Sequence, residues 1–131
     1  MAVTVRTWNG TDWDTPVTGD TSAEVIQNTL NQSVVMLYIT YVQGDESDLK
    51  LTLSFRDKCL ENFFTYSVSE SSTVRNEALT IQSTGTYRIP IPVAANEEEV
   101  KVTVELEGSP TTPGTVEVWC KPTFSDFVTV G

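Results

Sequence analysis

The segment LKLTLSF, residues 49–55, alternates apolar and polar side chains and decides the fold class. Its apolar members, which share one face of an extended chain, are Leu49, Leu51, Leu53 and Phe55. The same two-residue period recurs in VKVTVEL (100–106) and in TVEVWC (115–120). This period is typical of β-strands that place one face on a core and the other face in water. The sequence therefore predicts an antiparallel sheet.

Turn-forming residues divide the 131-residue chain into short segments of this kind. The turns include 44–46, 83–85 and 110–114, and their spacing of about 8–12 residues is that of a β-sandwich or barrel. Ten segments are the candidate strands: 3–8, 12–17, 22–27, 33–43, 49–56, 63–69, 73–82, 86–92, 99–106 and 115–121; residues 124–129 are an optional addition to this set. We expect one all-β domain over residues 1–131, with an N-terminal tryptophan hairpin at 3–17. Its fold is an antiparallel β-sandwich of about 8–10 strands, jelly-roll or immunoglobulin-like, with little or no helix.

Composition removes several function classes. The chain carries 8 basic and 18 acidic residues, a net charge of −10, and no histidine. The acidity argues against nucleic acid as a partner, because phosphate binding requires a basic surface, and it favours solubility or docking on a basic surface. Without histidine, Ser-His-Asp catalysis and His-ligated metal sites are excluded. Cys59 and Cys120 are too few for a zinc site, and free, buried thiols are favoured over a disulfide.

No apolar run reaches the length of about 18 residues that a membrane span requires, so we predict no membrane contact. The N-terminal MAVTVR lacks the pattern of a secretory signal. Acidic clusters occur at Asp12 and Asp14, in GDESD (44–48) and in AANEEE (94–99). We interpret all three clusters as solvated turns, since catalysis requires a carboxylate whose pKa is raised in a pocket. We therefore predict no enzyme activity, no cofactor and no metal site.

The segment SVVMLYITYV, residues 33–42, differs because both of its faces are apolar. One face carries Val34, Met36, Tyr38 and Val42; the other carries Val35, Leu37, Ile39 and Tyr41. Such a strand is covered on both sides. Two interpretations stay open: a loop or helix of the same chain covers the second face, or another subunit does.

The segment YRIPIPV, residues 87–93, is predicted to be an edge strand. Pro90 and Pro92 are two residues apart, so their missing N–H groups lie on the same lateral side. That side cannot pair fully, which blunts the edge against further strand addition. Ile89 and Ile91 are expected to face the core.

The N-terminal segment TWNGTDWDTP, residues 7–16, contains the Asn9-Gly10 pair that favours a two-residue type I′ turn. The expected cross-strand pairs are Trp8 with Thr11, Thr7 with Asp12, and Arg6 with Trp13. This register gathers both indoles and the Arg6 guanidinium on one face, which must be covered because an isolated hairpin is marginal in water. Three coverings remain open: the protein's own core, a neighbouring subunit, or a sugar stacked on the indoles.

The segment VRTWNGTDW, residues 5–13, resembles the short W-N-G-T-x-W hairpins of tailed-bacteriophage virion proteins, especially tail and head accessory proteins. The resemblance implies a non-enzymatic virion structural protein, either a capsid decoration protein or a head or tail accessory protein. It also implies a homo-oligomer whose partners are copies of itself and other virion proteins, the major capsid or tail protein. Such a protein assembles in the host cytoplasm and resides in the virion.

Seven residues are the candidates for subunit contacts: Arg6, Trp8, Trp13, Met36, Tyr38, Tyr41 and Trp119. One alternative is a carbohydrate-binding module in which Trp8, Trp13 and Trp119 form a coplanar platform for a polysaccharide. Another is an acidic mimic of DNA, although the acidic residues are scattered rather than contiguous.

Overall fold

The computed structural model describes residues 2–65 and 78–124. As predicted, it is all-β, and the described residues contain no helix. The nine strands of this part of the chain are β1 (Val3–Thr7), β2 (Val17–Gly19), β3 (Ser22–Asn28), β4 (Val34–Val42), β5 (Leu49–Asp57), β6 (Ala78–Ile81), β7 (Gly85–Pro92), β8 (Glu97–Leu106) and β9 (Thr115–Thr123). They form two sheets that pack against each other, which confirms the sandwich architecture.

One sheet has five strands in the order β2-β1-β9-β4-β7, and the other has four in the order β3-β8-β5-β6. All neighbouring pairs are antiparallel except β1 and β9, which run parallel. The expectation of a purely antiparallel sandwich is therefore wrong for this pair. Parallel neighbours need a long connection, and here nearly the whole chain separates them. Alternation within a strand carries no information about pairing direction.

The core lies between the inner faces of the two sheets, as the alternating segments predict. Leu49, Leu51 and Leu53 of β5 are 0 % exposed, and Phe55 is 3 % exposed. Their cross-strand partners on β8 are also apolar, with Leu51 opposite Val104 and Leu53 opposite Val102. Because the pattern has a period of two, the polar residues between them all lie on the outer face.

The edge position of β7 is confirmed by the strand order. Its only hydrogen-bonded neighbour in the described sheet is β4, with Pro90 opposite Met36 and Pro92 opposite Val34. Ile91 is 3 % exposed and belongs to the core, and Ile89 packs against the core. The side of β7 that faces away from β4 thus lacks two N–H groups that an added strand would need.

Several predicted strand bounds change. The predicted strand 12–17 is largely loop, and its place is taken by the three-residue β2. Residues 63–65 form no strand, although Phe64 makes an isolated pairing with Phe55. Residue 124 is not in a strand either. The predicted segments 66–69, 73–77 and 125–129 lie outside the described residues.

The acidic segment 94–99 is only partly a solvated loop: residues 94–96 form an exposed turn, but the three glutamates belong to a strand, which corrects the expectation for them. Glu97 begins β8 and is only 9 % exposed. The Arg56 guanidinium on β5 donates to Glu98 at 2.5 Å and to Glu99 at 2.7 Å. The carboxylates therefore bind a neighbouring strand's cation, because the sheet register brings Arg56 opposite Glu99.

The acidic segment GDESD is also more than a solvated turn. Glu46 is 4 % exposed and accepts hydrogen bonds from the Tyr41 hydroxyl, the Gly44 N–H at 2.9 Å and the Gly114 N–H at 2.8 Å. Burial alone would raise the pKa of Glu46, but the hydrogen bonds from Gly44, Tyr41 and Gly114 outweigh it and lower that pKa to about 2. The Glu46 carboxylate therefore joins loop 43–48 to the residue that precedes β9.

Gly114 must lack a side chain for this arrangement. A Cβ atom there would lie 2.0 Å from the Val42 carbonyl oxygen and 2.6 Å from the Gly44 nitrogen. The two loops approach so closely that no larger residue fits without displacing backbone.

Both cysteines are free, as predicted. Cys120 is buried on the inner face of β9, and burial raises the pKa of its thiol to about 12. Cys59 is exposed, so the expectation that both thiols are buried is wrong for this residue. It lies in the turn after β5, where the backbone adopts a positive φ of 69°.

Candidate functional site

The outer face of the five-stranded sheet gathers most of the predicted contact residues. In the sheet register Arg6 lies opposite Trp119, Trp119 opposite Tyr38, and Tyr38 opposite Arg88. These four side chains form one row across β1, β9, β4 and β7. The next row contains Lys121 and Met36, again on neighbouring strands.

We call the exposed and half-buried part of this surface the aromatic–cationic face. Its members are Arg6, Trp8, Trp13, Tyr38, Arg88, Trp119 and Lys121. The three tryptophans form a contiguous cluster within it. The Trp8 and Trp13 ring centroids are 5.0 Å apart with an interplanar angle of 69°, and those of Trp13 and Trp119 are 4.8 Å apart at 80°. Edge-to-face pairs of this kind each contribute about 0.5–1.5 kcal/mol beyond the area that they bury.

Cations cover two of the indole faces. The Arg6 guanidinium carbon lies 4.2 Å from the Trp119 ring centroid, and Arg6 Nη1 lies 3.0 Å from Glu117 Oε2. Lys121 Nζ lies 4.7 Å from the Trp8 ring centroid. Both distances are within the range of an attractive cation–π contact. Arg6 therefore packs on the Trp119 ring, and Lys121 packs on the Trp8 ring.

The turn in the predicted hairpin has a different register from the one expected. Trp8 lies opposite Trp13, and residues 9–12 form a four-residue loop. The Asn9 side-chain oxygen accepts hydrogen bonds from the N–H groups of Thr11 and Asp12, both at 2.9 Å. This side-chain turn replaces the predicted two-residue turn, because asparagine can hydrogen-bond to backbone two and three residues onward. Trp13 is therefore not the partner of Arg6, whose neighbour on the other side of β1 is Trp119 of β9.

Gln27, which was not among the residues predicted from the sequence, holds this loop in place. Its side chain is 1 % exposed, accepts from the Trp8 N–H at 2.8 Å and donates to the Trp8 carbonyl at 2.7 Å. The amide therefore pairs with Trp8 as a neighbouring strand would. The available signal was a polar residue at a buried position of the alternating segment SAEVIQN.

We expect Gln27→Leu to lower the free energy of unfolding by about 2 kcal/mol, since the part-buried N–H and carbonyl of Trp8 lose their partners on Gln27. The near-ultraviolet circular dichroism of the tryptophan cluster should weaken at the same time. Urea unfolding and the dichroism spectrum measure both effects. Glu24→Gln, an isosteric change at an exposed position of β3, is the matched control. Equal stability of the two variants would contradict the role of Gln27.

The remaining predicted contact residues divide by burial. Tyr38 is 38 % exposed and, with Thr40 and Arg88, lines a shallow depression of the outer face. Met36 points to the same face but is only 4 % exposed. Tyr41 is 1 % exposed and belongs to the core, which corrects its assignment as a contact residue. The Tyr41 hydroxyl donates a hydrogen bond to the Glu46 carboxylate. Burial is the main reason that the pKa of this hydroxyl is raised.

The described residues contain no group of three or more His, Cys, Asp or Glu side chains placed to hold a metal ion. In this part of the chain, no helix is long and apolar enough to cross a membrane. The chemistry that the aromatic–cationic face can perform is recognition, through stacking, cation–π contacts and charge-assisted hydrogen bonds. Comparison with family models, curated proteins and solved structures yields no match for this chain.

Proposed function

We propose that the protein is a non-enzymatic virion structural protein of a tailed bacteriophage, a capsid decoration protein or a head or tail accessory protein. It contacts neighbouring subunits through the aromatic–cationic face. The resemblance of residues 5–13 to phage hairpins supports a bacteriophage origin of the protein. The composition and exposure of the face support the mode of action.

The observation that carries the proposal is the row Arg6–Trp119–Tyr38–Arg88. Tryptophan, tyrosine and arginine are the residue types that dominate binding energy at protein interfaces. Here they are adjacent on four neighbouring strands, and the row ends in an exposed arginine. A rigid sheet presents them with little conformational entropy to lose on binding.

The geometry disfavours the carbohydrate-binding alternative. A sugar platform requires exposed, coplanar ring faces, whereas these indoles meet at 69° and 80°. Arg6 and Lys121 also occupy ring faces that a sugar would need. The prediction of a coplanar platform is therefore wrong. The DNA-mimic alternative is also disfavoured. A DNA mimic requires an acidic surface, whereas the strands carry three bases and one acid on the outer face of the five-stranded sheet.

Quantitative mass spectrometry of purified virus particles tests the proposed function. We expect the protein in the particle, with its copy number scaled to the major capsid protein. Hundreds of copies indicate lattice-wide decoration, and a handful indicates a portal or tail accessory. Absence from the particle would overturn the proposal.

A surface variant tests the proposed contact face. We expect Tyr38→Ala to weaken rebinding to particles stripped of the protein by about tenfold or more, because central aromatic residues contribute about 2 kcal/mol to many interfaces. Its thermal unfolding should stay close to that of the unchanged protein. Ile26→Ala is the control, since Ile26 is 47 % exposed on the opposite sheet. Equal loss of rebinding in both variants would argue against this face.

A further inference from the structure

On its strands, the outer face of the five-stranded sheet carries a net charge opposite in sign to that of the whole protein. Its charged strand residues are three bases, Arg6, Arg88 and Lys121, and one acid, Glu117. The chain as a whole has 8 bases and 18 acids. This outer sheet face thus holds more than a third of the bases in a strongly acidic protein.

Two of the three bases on the strands of the opposite sheet pair with carboxylates, and the third, Lys101, lies over the Phe63 ring, 4.4 Å from its centroid. Arg56 pairs with Glu98 and Glu99, and Lys50 Nζ lies 3.9 Å from Glu107. Among the described residues, Arg88 and Lys121 form no ion pair with a carboxylate. Arg88 is exposed, so its guanidinium remains available for a bidentate carboxylate contact.

The spacing of these two cations suits a protein chain. Arg88 lies on β7 and Lys121 on β9, with β4 between them and a two-residue offset along the strands. Strand spacing and rise place their Cα atoms roughly 12 Å apart. Two carboxylates three or four residues apart in an extended segment span about the same distance. Tyr38 and the nearly buried Met36 of β4 lie between the cations, and an apolar or aromatic side chain would pack on the exposed Tyr38 ring.

We propose that the partner of this face is an acidic protein segment, whose carboxylates pair with Arg88 and Lys121 around an aromatic or apolar side chain. This inference rests on the proposed function, since it specifies the chemistry of the assembly partner. Charge complementarity carries it: the chain has a net charge of −10, yet two cations of its aromatic surface have no carboxylate partner among the residues that the structure describes. Opposite charges across an interface mainly provide specificity and rapid association.

The experiment uses the full chain and a fluorescent random copolymer of glutamate and tyrosine as the probe. We expect binding in fluorescence anisotropy that weakens as salt rises. Arg88→Glu should weaken it at least tenfold, and Tyr38→Ala should also weaken it. Lys50→Glu makes the same change in net charge on the opposite sheet and should alter binding less than twofold. Thermal unfolding of each variant confirms that the fold is intact.

Four results would overturn the inference. The first is no binding of the copolymer at low salt, and the second is equal loss in the Arg88→Glu and Lys50→Glu variants. The third is equally tight binding of duplex DNA that is also lost in Arg88→Glu, which would identify a general polyanion site. The fourth is salt-dependent self-association in sedimentation that Arg88→Glu abolishes, which would make a second copy the occupant. If the protein is present in virus particles but one of these four results is obtained, the acidic-partner inference is wrong and the proposed virion function is retained.

Discussion

Leu53→Asp is expected to leave the chain unfolded at neutral pH. Leu53 is 0 % exposed and lies opposite Val102, which is also 0 % exposed. Removal of a buried leucine costs about 2–5 kcal/mol, and burial of an unpaired carboxylate costs several more. The free energy of unfolding of a domain of this size is only about 5–15 kcal/mol. The two costs together are therefore comparable to the entire free energy of unfolding. Far-ultraviolet circular dichroism should show loss of the β signal.

Ser54→Asp is the matched control for this prediction. Ser54 is the next residue of β5 and lies on the outer face, opposite Lys101. A carboxylate there faces an ammonium group, so the variant should fold with a stability within about 0.5 kcal/mol of the unchanged protein. A folded Leu53→Asp variant, or unfolding of both variants, would contradict the assignment of the inner face.

Glu46→Gln is expected to lower the free energy of unfolding by about 3 kcal/mol at pH 7. The Glu46 carboxylate accepts from the Tyr41 hydroxyl and from the backbone N–H groups of Gly44 and Gly114. An amide nitrogen at either carboxylate position repels an N–H donor, and a buried donor without a partner is costly. Urea unfolding at pH 7 measures the difference.

The same carboxylate makes stability depend on pH. Its pKa is lowered on folding from an ordinary 4.5 to about 2, so the ionised form stabilises the folded protein at every pH above 4.5. That stabilisation is lost progressively as pH falls from 4.5 through about 2. Below this range Glu46 is protonated in both states, and the unchanged protein should approach the Glu46→Gln variant in stability. The gap between the two proteins is therefore expected to close on acidification.

Unfolding curves at pH 7, 4.5, 3 and about 2 provide the test. Glu24→Gln is the control, because Glu24 is exposed on the outer face of β3 and should show a small, nearly constant difference. A gap for Glu46→Gln that stays constant across this pH range would show that the carboxylate's charge does not stabilise the fold.

Part of the candidate site could be predicted from the sequence. In the alternating segment 115–120, the side chains of Trp119 and Val118 are expected on opposite faces of the strand. Residues 33–42 carry apolar side chains on both faces. Arg6, Trp8, Trp13, Tyr38 and Trp119 do share one outer surface. Arg88 and Lys121 were missed, since nothing local to β7 or β9 indicates which strand lies beside them. Gln27 was missed because a polar residue at an inward position of an alternating strand does not show which backbone groups it will bind.

The sequence by itself determined the fold class, the inner faces of the long strands and the proline-blunted edge at β7. Each of these depends on the direction of side chains along one strand or on a missing N–H group, which are local properties. Only the tertiary structure decided the parallel pairing of β1 with β9, the burial of Glu46 and the row that joins Arg6 to Arg88. These depend on which distant segments become neighbours. That choice is made by packing and loop closure over the whole chain, because local alternation is equally compatible with many strand orders.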